Sequence, residues 1–149
     1  MADAEMNRIW AAETWKRMEE KLHRSLLKNG DKILYTIDKN GDGEDCYTER
    51  PSCWINGFWP GILWQLYQGT GDGGRKALYA EHAKRMEKML DKALFETEEG
   101  FEGLHHDVGF MWVPTSAASY RLTKDPASRR RALVAANYLA SRWNPDGGF

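Results

Sequence analysis

Residues 54–67 read WINGFWPGILWQLY and are followed by the turn Thr70-Gly71-Asp72. An apolar run of this length predicts a buried helix, in which Gly57 and Pro60-Gly61 keep the first turns loose. The segment after the turn has charged residues on one side and, on the other, the apolar positions Tyr79, Ala83, Met86, Leu90 and Ala93. The two segments together predict an inner helix that is covered by an amphipathic outer helix.

The same arrangement recurs further along the chain. Gly57-Phe58 recurs as Gly109-Phe110, Tyr67 as Tyr120, Thr70 as Thr123, and Asp72 as Asp125. The second copy predicts an inner helix over residues 109–122. A last helix reaches residue 143, with Asp125 as its N-cap and Pro126 at its first position. Two copies of one hairpin predict an all-α array with an inner and an outer layer of helices.

The remaining segments are less regular. Residues 2–28 predict one amphipathic helix that closes at Asn29-Gly30. Residues 31–53 are expected to be irregular, with a β-prone piece at 33–37, and residues 96–108 to form a polar loop. Because the inner helices lack neighbours on at least one side, we expect the chain to be a fragment of a longer closed array.

The amino-acid composition limits the kinds of binding partner and the cellular location that are expected for this protein. The 149 residues contain 21 Lys and Arg against 22 Asp and Glu, so a nucleic acid or an anionic membrane recognised through bulk charge is not expected. No apolar run reaches about 18 residues, and the N-terminus lacks the pattern of a secretory signal. Two cysteines, Cys46 and Cys53, cannot build a disulfide framework. We therefore expect a cytoplasmic protein; its oligomeric state is left open.

One segment matches a calcium-binding pattern. The twelve residues from Asp38 to Glu49 fit an EF-hand loop, with Gly43 at its sixth position. The oxygen ligands would be Asp38, Asn40, Asp42 and Glu49. However, the preceding residues look extended, proline follows at position 51, and Asp45 occupies a position that is normally apolar. An Asp/Asn/Gly turn is therefore the favoured interpretation, with a calcium loop as the alternative.

The second polar cluster is His105-His106-Asp107. Adjacent histidines point in different directions, which disfavours a shared metal ion. Asp107 precedes an inner helix, where a carboxyl group could act as an acid or base or simply cap the helix. The nearby aromatic residues are expected to be mostly core, although those at the helix starts could stack on a sugar. They are Trp54, Phe58, Trp59, Trp64, Trp112 and Tyr120.

At these residues the sequence resembles a known family. Residues 54–64, with Tyr67 and Thr70-Gly71-Asp72, resemble the opening inner helix of the bacterial unsaturated glucuronyl hydrolases, glycoside hydrolase family 88. Residues 105–112, HHDVGFMW, resemble that family's His-His-Asp-Ile-Gly-Phe segment. The resemblance covers about residues 50–149 and is weaker in the first helix. The unsaturated rhamnogalacturonyl hydrolases of family 105 share the fold but fit this segment less well.

The resemblance implies an (α/α)6 barrel, a six-hairpin toroid. Residues 1–149 would form its first two and a half hairpins, as the N-terminal part of a single domain. Such enzymes remove the 4,5-unsaturated uronic acid from the non-reducing end of lyase-generated glycosaminoglycan oligosaccharides. The implied chemistry is vinyl-ether hydration without a metal or organic cofactor. Alternatives are the rhamnogalacturonyl activity, or a non-catalytic fragment that binds calcium or carbohydrate.

The resemblance also implies roles for three residues. Asp107 matches one of the family's two active-site aspartates, Trp54 a tryptophan that contacts the unsaturated sugar, and His106 a neighbouring pocket residue. The second aspartate, usually assigned as the general acid and base, would lie beyond residue 149. We therefore expect the isolated chain to be inactive.

Overall fold

The computed structural model describes residues 2–40, 42–96, 104 and 106–147. They divide into two compact units, Met1–Asp31 and Lys32–Phe149. The first unit is helix α1, Ala2–Asn29, which confirms the predicted N-terminal helix. Gly30 closes it in the left-handed conformation that the Asn29-Gly30 pair predicts, with a φ of 59° and a 2.8 Å hydrogen bond from its N–H to the Leu26 carbonyl.

The second unit begins with a largely irregular segment, as predicted. The β-prone piece forms one isolated antiparallel bridge between Leu34 and Asp45, and the described residues form no strand. The segment also contains a one-turn helix, α2, Cys46–Glu49, which was not predicted. Asp45 caps it by accepting hydrogen bonds from the Tyr47 N–H and the Thr48 hydroxyl.

The first predicted hairpin is confirmed. Its inner helix opens with a 3₁₀ turn, Trp54–Gly57, and continues as α3, Phe58–Gly69. The outer helix α4 spans Gly73–Met89, and a π-helical segment, Lys92–Glu96, follows it. The predicted apolar face of the outer helix is buried throughout, at Tyr79, Ala83, Met86, Leu90 and Ala93.

The second hairpin differs from the prediction in two details. Its inner helix comprises α5, Val108–Trp112, a π-helical segment, Val113–Ala117, and α6, Ala118–Thr123. Pro114 has no N–H to donate to the carbonyl four residues earlier, which is consistent with the widened turn there. The outer helix α7 is Pro126–Ala140, shorter than predicted. Residues 97–103 and 105 lie outside the described residues, as does most of the predicted polar loop.

The two hairpin turns are built alike. The Thr70 and Thr123 hydroxyls accept hydrogen bonds from the N–H groups of Asp72 and Asp125, at 3.2 and 3.3 Å. The Asp72 side chain caps α4, and the Asp125 side chain caps α7. The sequence repeat is therefore a structural repeat.

Packing within the second unit follows the two-layer pattern. Helix α3 packs on α4 and on the π-helical segment Val113–Ala117, while α5 packs on α7. One core cluster includes Leu90, Leu94, Met111, Trp112 and Ala135. Among the described residues, no helix combines the length and apolar character needed to cross a lipid bilayer.

Candidate active site

An aromatic cluster lies where the two inner helices begin. The rings of Trp54 and Phe58 meet edge to face at 5.5 Å between centroids, and Phe110 lies 6.0 Å from Trp54 and 5.9 Å from Phe58. All three side chains are exposed, by 43%, 38% and 50% respectively. By contrast, Trp64 and Trp112 are buried core residues, and Trp59 and Tyr120 are half-buried. The prediction that most of the six aromatic residues are core therefore holds in full for two of them. Exposed aromatic faces at this end of the hairpins suit contact with the apolar face of a sugar ring.

Two glycines bring the inner helices together. A β-carbon placed on Gly57 would lie 2.2 Å from the Phe110 carbonyl oxygen, and one on Gly61 would lie 2.6 Å from Cβ of Pro114. Only glycine therefore permits this distance between the two backbones. The contact explains why Phe58 and Phe110, which occupy equivalent positions of the two repeats, meet.

Asp107 lies one turn before the aromatic cluster. Its carbonyl accepts a 2.8 Å hydrogen bond from the Phe110 N–H at the start of α5. Its side chain is 20% exposed and makes no capping hydrogen bond, so the alternative that Asp107 merely caps the helix does not hold. Asp107 therefore precedes the helix that carries Phe110, and its carboxyl group does not cap α5.

His106 is also near this carboxyl group. Its Nε2 lies 3.4 Å from Oδ1 of Asp107, and its side chain is 86% exposed. His105 lies outside the described residues. The structure thus places His106 against Asp107, and the ring of Trp54 against Phe110, three residues after Asp107.

A groove continues from the cluster between α3 and the second inner helix. Its volume is about 290 Å³, and Phe58, Trp64, Gln65, Phe110, Val113 and Arg121 are among its lining residues. Aromatic walls with a few amide and guanidinium groups are typical of small-ligand sites. No local sequence pattern predicts this groove, because it depends on the crossing of the two inner helices at Gly57 and Gly61.

The calcium pattern forms a turn. Oδ1 of Asp38 accepts hydrogen bonds from the N–H groups of Asn40 and Asp42, at 2.8 and 2.9 Å. The segment before it is not helical, unlike an EF-hand, and Asp45 caps α2. Gly41 lies outside the described residues. In the described ranges, no three His, Cys, Asp or Glu residues are grouped so that they could hold a metal ion.

A buried polar network supports the second inner helix from outside. Glu87 of α4 is 1% exposed and accepts hydrogen bonds from the hydroxyls of Ser116 and Ser128, at 2.8 and 2.9 Å. Arg131 lies 3.6 Å from Glu87 and bonds both carboxylate oxygens of Asp91 at 2.6 Å. The network joins α4 and α7 to the π-helical segment that follows α5.

Asn56, two residues after Trp54, was not among the predicted site residues. It is fully buried in the 3₁₀ turn that carries Trp54. Its side-chain amide donates hydrogen bonds to the carbonyls of Arg50 and Pro51, both at 2.9 Å. The sequence did contain a signal for it, an asparagine within an apolar run. A buried side-chain amide requires hydrogen-bond partners, so such a residue is expected to hold nearby backbone.

Comparison with known proteins finds hydrolases that are similar to this chain. No family model matches the chain. An unsaturated glucuronyl hydrolase of Bacillus sp. (strain GL1) is 36% identical over 128 residues, which are 85% of this chain. An unsaturated chondroitin disaccharide hydrolase of Streptococcus pyogenes serotype M1 is 38% identical over 96 residues, 64% of the chain.

The fold agrees with these relatives. The crystal structure of an unsaturated glucuronyl hydrolase specific for heparin matches 91% of this chain with a TM-score of 0.70 and 25% identity. That enzyme is an α/α barrel, so the predicted fold class is confirmed. The chain spans 31% of the Bacillus relative, 22% of the streptococcal one and 33% of the solved structure. Over the segment that it shares with them, the chain is a relative of the unsaturated glucuronyl hydrolases.

Proposed function

We propose that this chain forms the N-terminal part of a hydrolase that removes a 4,5-unsaturated uronic acid from the non-reducing end of lyase-generated glycosaminoglycan oligosaccharides. The observation that carries the proposal is the exposed ring cluster of Trp54, Phe58 and Phe110 at the start of the helix that Asp107 precedes, where the Asp107 backbone carbonyl bonds the Phe110 N–H. The names of the relatives point to the same substrate class. The cytoplasm is the proposed location.

The proposed reaction is vinyl-ether hydration. A proton adds to C4 of the unsaturated ring, and the hydroxyl of a water molecule adds to C5, which gives a hemiketal. The C5–O5 bond then breaks, and the hemiacetal at C1 collapses and releases the second sugar as an alcohol. The proton and the water are handled by a second carboxyl group from outside this chain.

Three residues of this chain have proposed roles. Protonation of C4 leaves positive charge on C5 and the ring oxygen, and the Asp107 carboxylate would stabilise this charge and orient the ring. Trp54 would stack on the apolar face of the sugar, and His106 would hold Asp107 in place from its 3.4 Å contact. No metal or organic cofactor takes part in this scheme.

The test uses the full-length product of the gene, obtained after sequencing past codon 149. The purified protein is incubated with an unsaturated chondroitin or heparin disaccharide, and the ultraviolet absorbance of the conjugated double bond is followed. We expect the absorbance to fall as the double bond is hydrated. An unchanged absorbance with all glycosaminoglycan disaccharides would contradict the substrate class, and loss with an unsaturated rhamnogalacturonan disaccharide alone would identify the related activity.

Asp107→Asn tests the site itself. We expect kcat to fall by about 10²-fold or more, because the neutral amide cannot stabilise the positive charge that develops on C5 and the ring oxygen. Asp146→Asn, an exposed carboxylate at the end of the described residues, is the control that should leave turnover unchanged. If Asp107→Asn keeps near-normal turnover, Asp107 has no catalytic role.

A stop codon directly after Phe149 would favour a non-catalytic role. Calorimetry would then measure the heat of binding of an unsaturated disaccharide and, separately, of calcium to the 149-residue chain. Heat with the sugar alone would indicate carbohydrate binding, whereas calcium binding at about micromolar levels would indicate a sensor-type loop at Asp38–Glu49.

A further inference from the structure

One side chain, that of Asn56, binds the backbone of the segment that precedes Trp54. Asn56 has no exposed surface, and its Nδ2 lies 2.9 Å from each of two successive carbonyl oxygens, those of Arg50 and Pro51. Its backbone N–H also bonds the Cys53 carbonyl at 2.9 Å. The side chain and backbone of Asn56 therefore fix residues 50–53 against the 3₁₀ turn.

Trp54 leaves the same turn in a different direction. In a 3₁₀ helix, residues two positions apart lie on different faces, so a buried Asn56 is compatible with an exposed Trp54. Gly57, next to Asn56, packs against the Phe110 backbone. The turn is therefore held by the Asn56 amide and by the contact of Gly57 with the second inner helix. The exposed Trp54 ring extends from this turn to Phe58 and Phe110.

We propose that Asn56 is a positioning residue for the sugar-contacting Trp54, an inference that rests on the proposed function. Asn56 does not touch the substrate. It holds the backbone from which the Trp54 ring reaches Phe58 and Phe110, so that the ring is preorganised before the sugar binds.

The chemistry of the two partners explains why an asparagine stands here. Both are carbonyl oxygens, so the group that faces them must be the NH₂ of the amide, which has two hydrogens to donate. Aspartate has the same shape but presents an oxygen to two oxygens. Serine supplies one donor hydrogen, and alanine none.

The experiment uses the full-length protein and the unsaturated disaccharide assay. Asn56→Asp is combined with Trp54→Ala in a double-mutant cycle, and unfolding is measured for each variant. We expect Asn56→Asp alone to raise KM about tenfold with little change in kcat. In the Trp54→Ala background the same change should alter KM less than about twofold, because the ring that it positions is gone. Asn56→Ser, which keeps one donor, should give an intermediate KM and replaces Asn56→Asp if that variant does not fold.

Ser119→Ala is the matched control. It removes a buried 2.8 Å hydrogen bond to Ser128 between α6 and α7, and it should lower stability without changing KM. If Asn56→Asp leaves KM unchanged, or raises it equally with and without Trp54, the positioning role is wrong while the proposed function stands. If the wild type leaves every disaccharide intact, the proposed function fails and this inference fails with it.

Discussion

Gly57 packs directly on the backbone of Phe110, so closely that a β-carbon on Gly57 would lie 2.2 Å from the Phe110 carbonyl oxygen. The same β-carbon would lie 2.5 Å from Cα of Met111. These atoms belong to the backbone of the second inner helix, which cannot move aside as the end of a flexible side chain can. Because glycine has no side chain, Gly57 allows the two inner helices to lie this close. The aromatic cluster next to their contact depends on the same glycine.

Gly57→Ala is expected to destabilise the fold by about 1–3 kcal/mol or more, the usual cost of overpacking. The helices must separate to admit the methyl group, so the Trp54 and Phe58 rings should also lose their contact with Phe110. Urea unfolding measures the first effect, and KM for the disaccharide the second. Gly109→Ala is the matched control, since a β-carbon there has no non-local atom within 4 Å and alanine favours a helix. Equal stabilities of the two variants would contradict the close-packed crossing.

Glu87→Ala is expected to cost about 3 kcal/mol or more in the free energy of unfolding. The substitution leaves the hydroxyls of Ser116 and Ser128 without their carboxylate and removes a negative charge next to Arg131. Thermal or urea unfolding is the measurement. A double-mutant cycle with Ser116→Ala should show coupling, because both residues contribute to one bond. Strictly additive losses would mean that the 2.8 Å contact contributes nothing to stability.

Asp125 should make stability fall at acid pH. Burial by itself raises the pKa of Asp125, but the hydrogen bonds from the Ala127 N–H and from Lys84 outweigh this effect and hold the pKa below its ordinary 3.8. Because the folded pKa is lowered, the contribution is complete above pH 3.8 and is lost as the pH falls through the folded value. Asp125→Asn keeps a capping oxygen but does not titrate, so its stability should change less than that of the wild type below about pH 4. Parallel pH profiles of the two proteins would contradict this.

Local signals allowed most of the helices to be predicted. The Thr-x-Asp turns need only residues within one turn of the chain, and the apolar face of α4 follows its own period. Glu87 is an exception to the division of α4 into an apolar and a charged face. It lies four residues after Ala83 and three before Leu90, on the buried face. Its partners come from another hairpin, so the sequence could mark the position as unusual but could not supply the reason.

The site was less predictable than the fold. The roles of Asp107 and Trp54 came from the family resemblance, not from periodicity. The contact of Trp54 with Phe110, three residues after Asp107, depends on two helices that are far apart in the sequence, and on the space at Gly57. Helix α2 was missed because one turn is too short for a periodic signal. Its N-cap, Asp45, stood out in the sequence only because it occupies a normally apolar position of the calcium-binding pattern.

The thiol of Cys46 should be unreactive near neutral pH. The side chain is buried, and burial together with the neighbouring Cys53 thiol raises the pKa of Cys46 to about 11. Since only the thiolate reacts, a pKa two units above the ordinary 9.0 lowers the reactive fraction about a hundredfold at pH 8. Alkylation by iodoacetamide, followed by mass spectrometry of the Cys46 peptide, should therefore be at least that much slower than for a solvent-exposed thiol.

The same pKa predicts a loss of stability at alkaline pH. In the unfolded chain Cys46 ionises near pH 9.0, whereas the folded protein keeps its proton until about pH 11. The folded state therefore binds more protons in this window, and stability falls as the pH rises through it. Cys46→Ala should remove this part of the pH dependence, because alanine does not titrate. Alkylation of Cys46 as fast as an exposed thiol at pH 8 would contradict the prediction of a buried, neutral thiol. An unchanged alkaline stability profile in Cys46→Ala would contradict it as well.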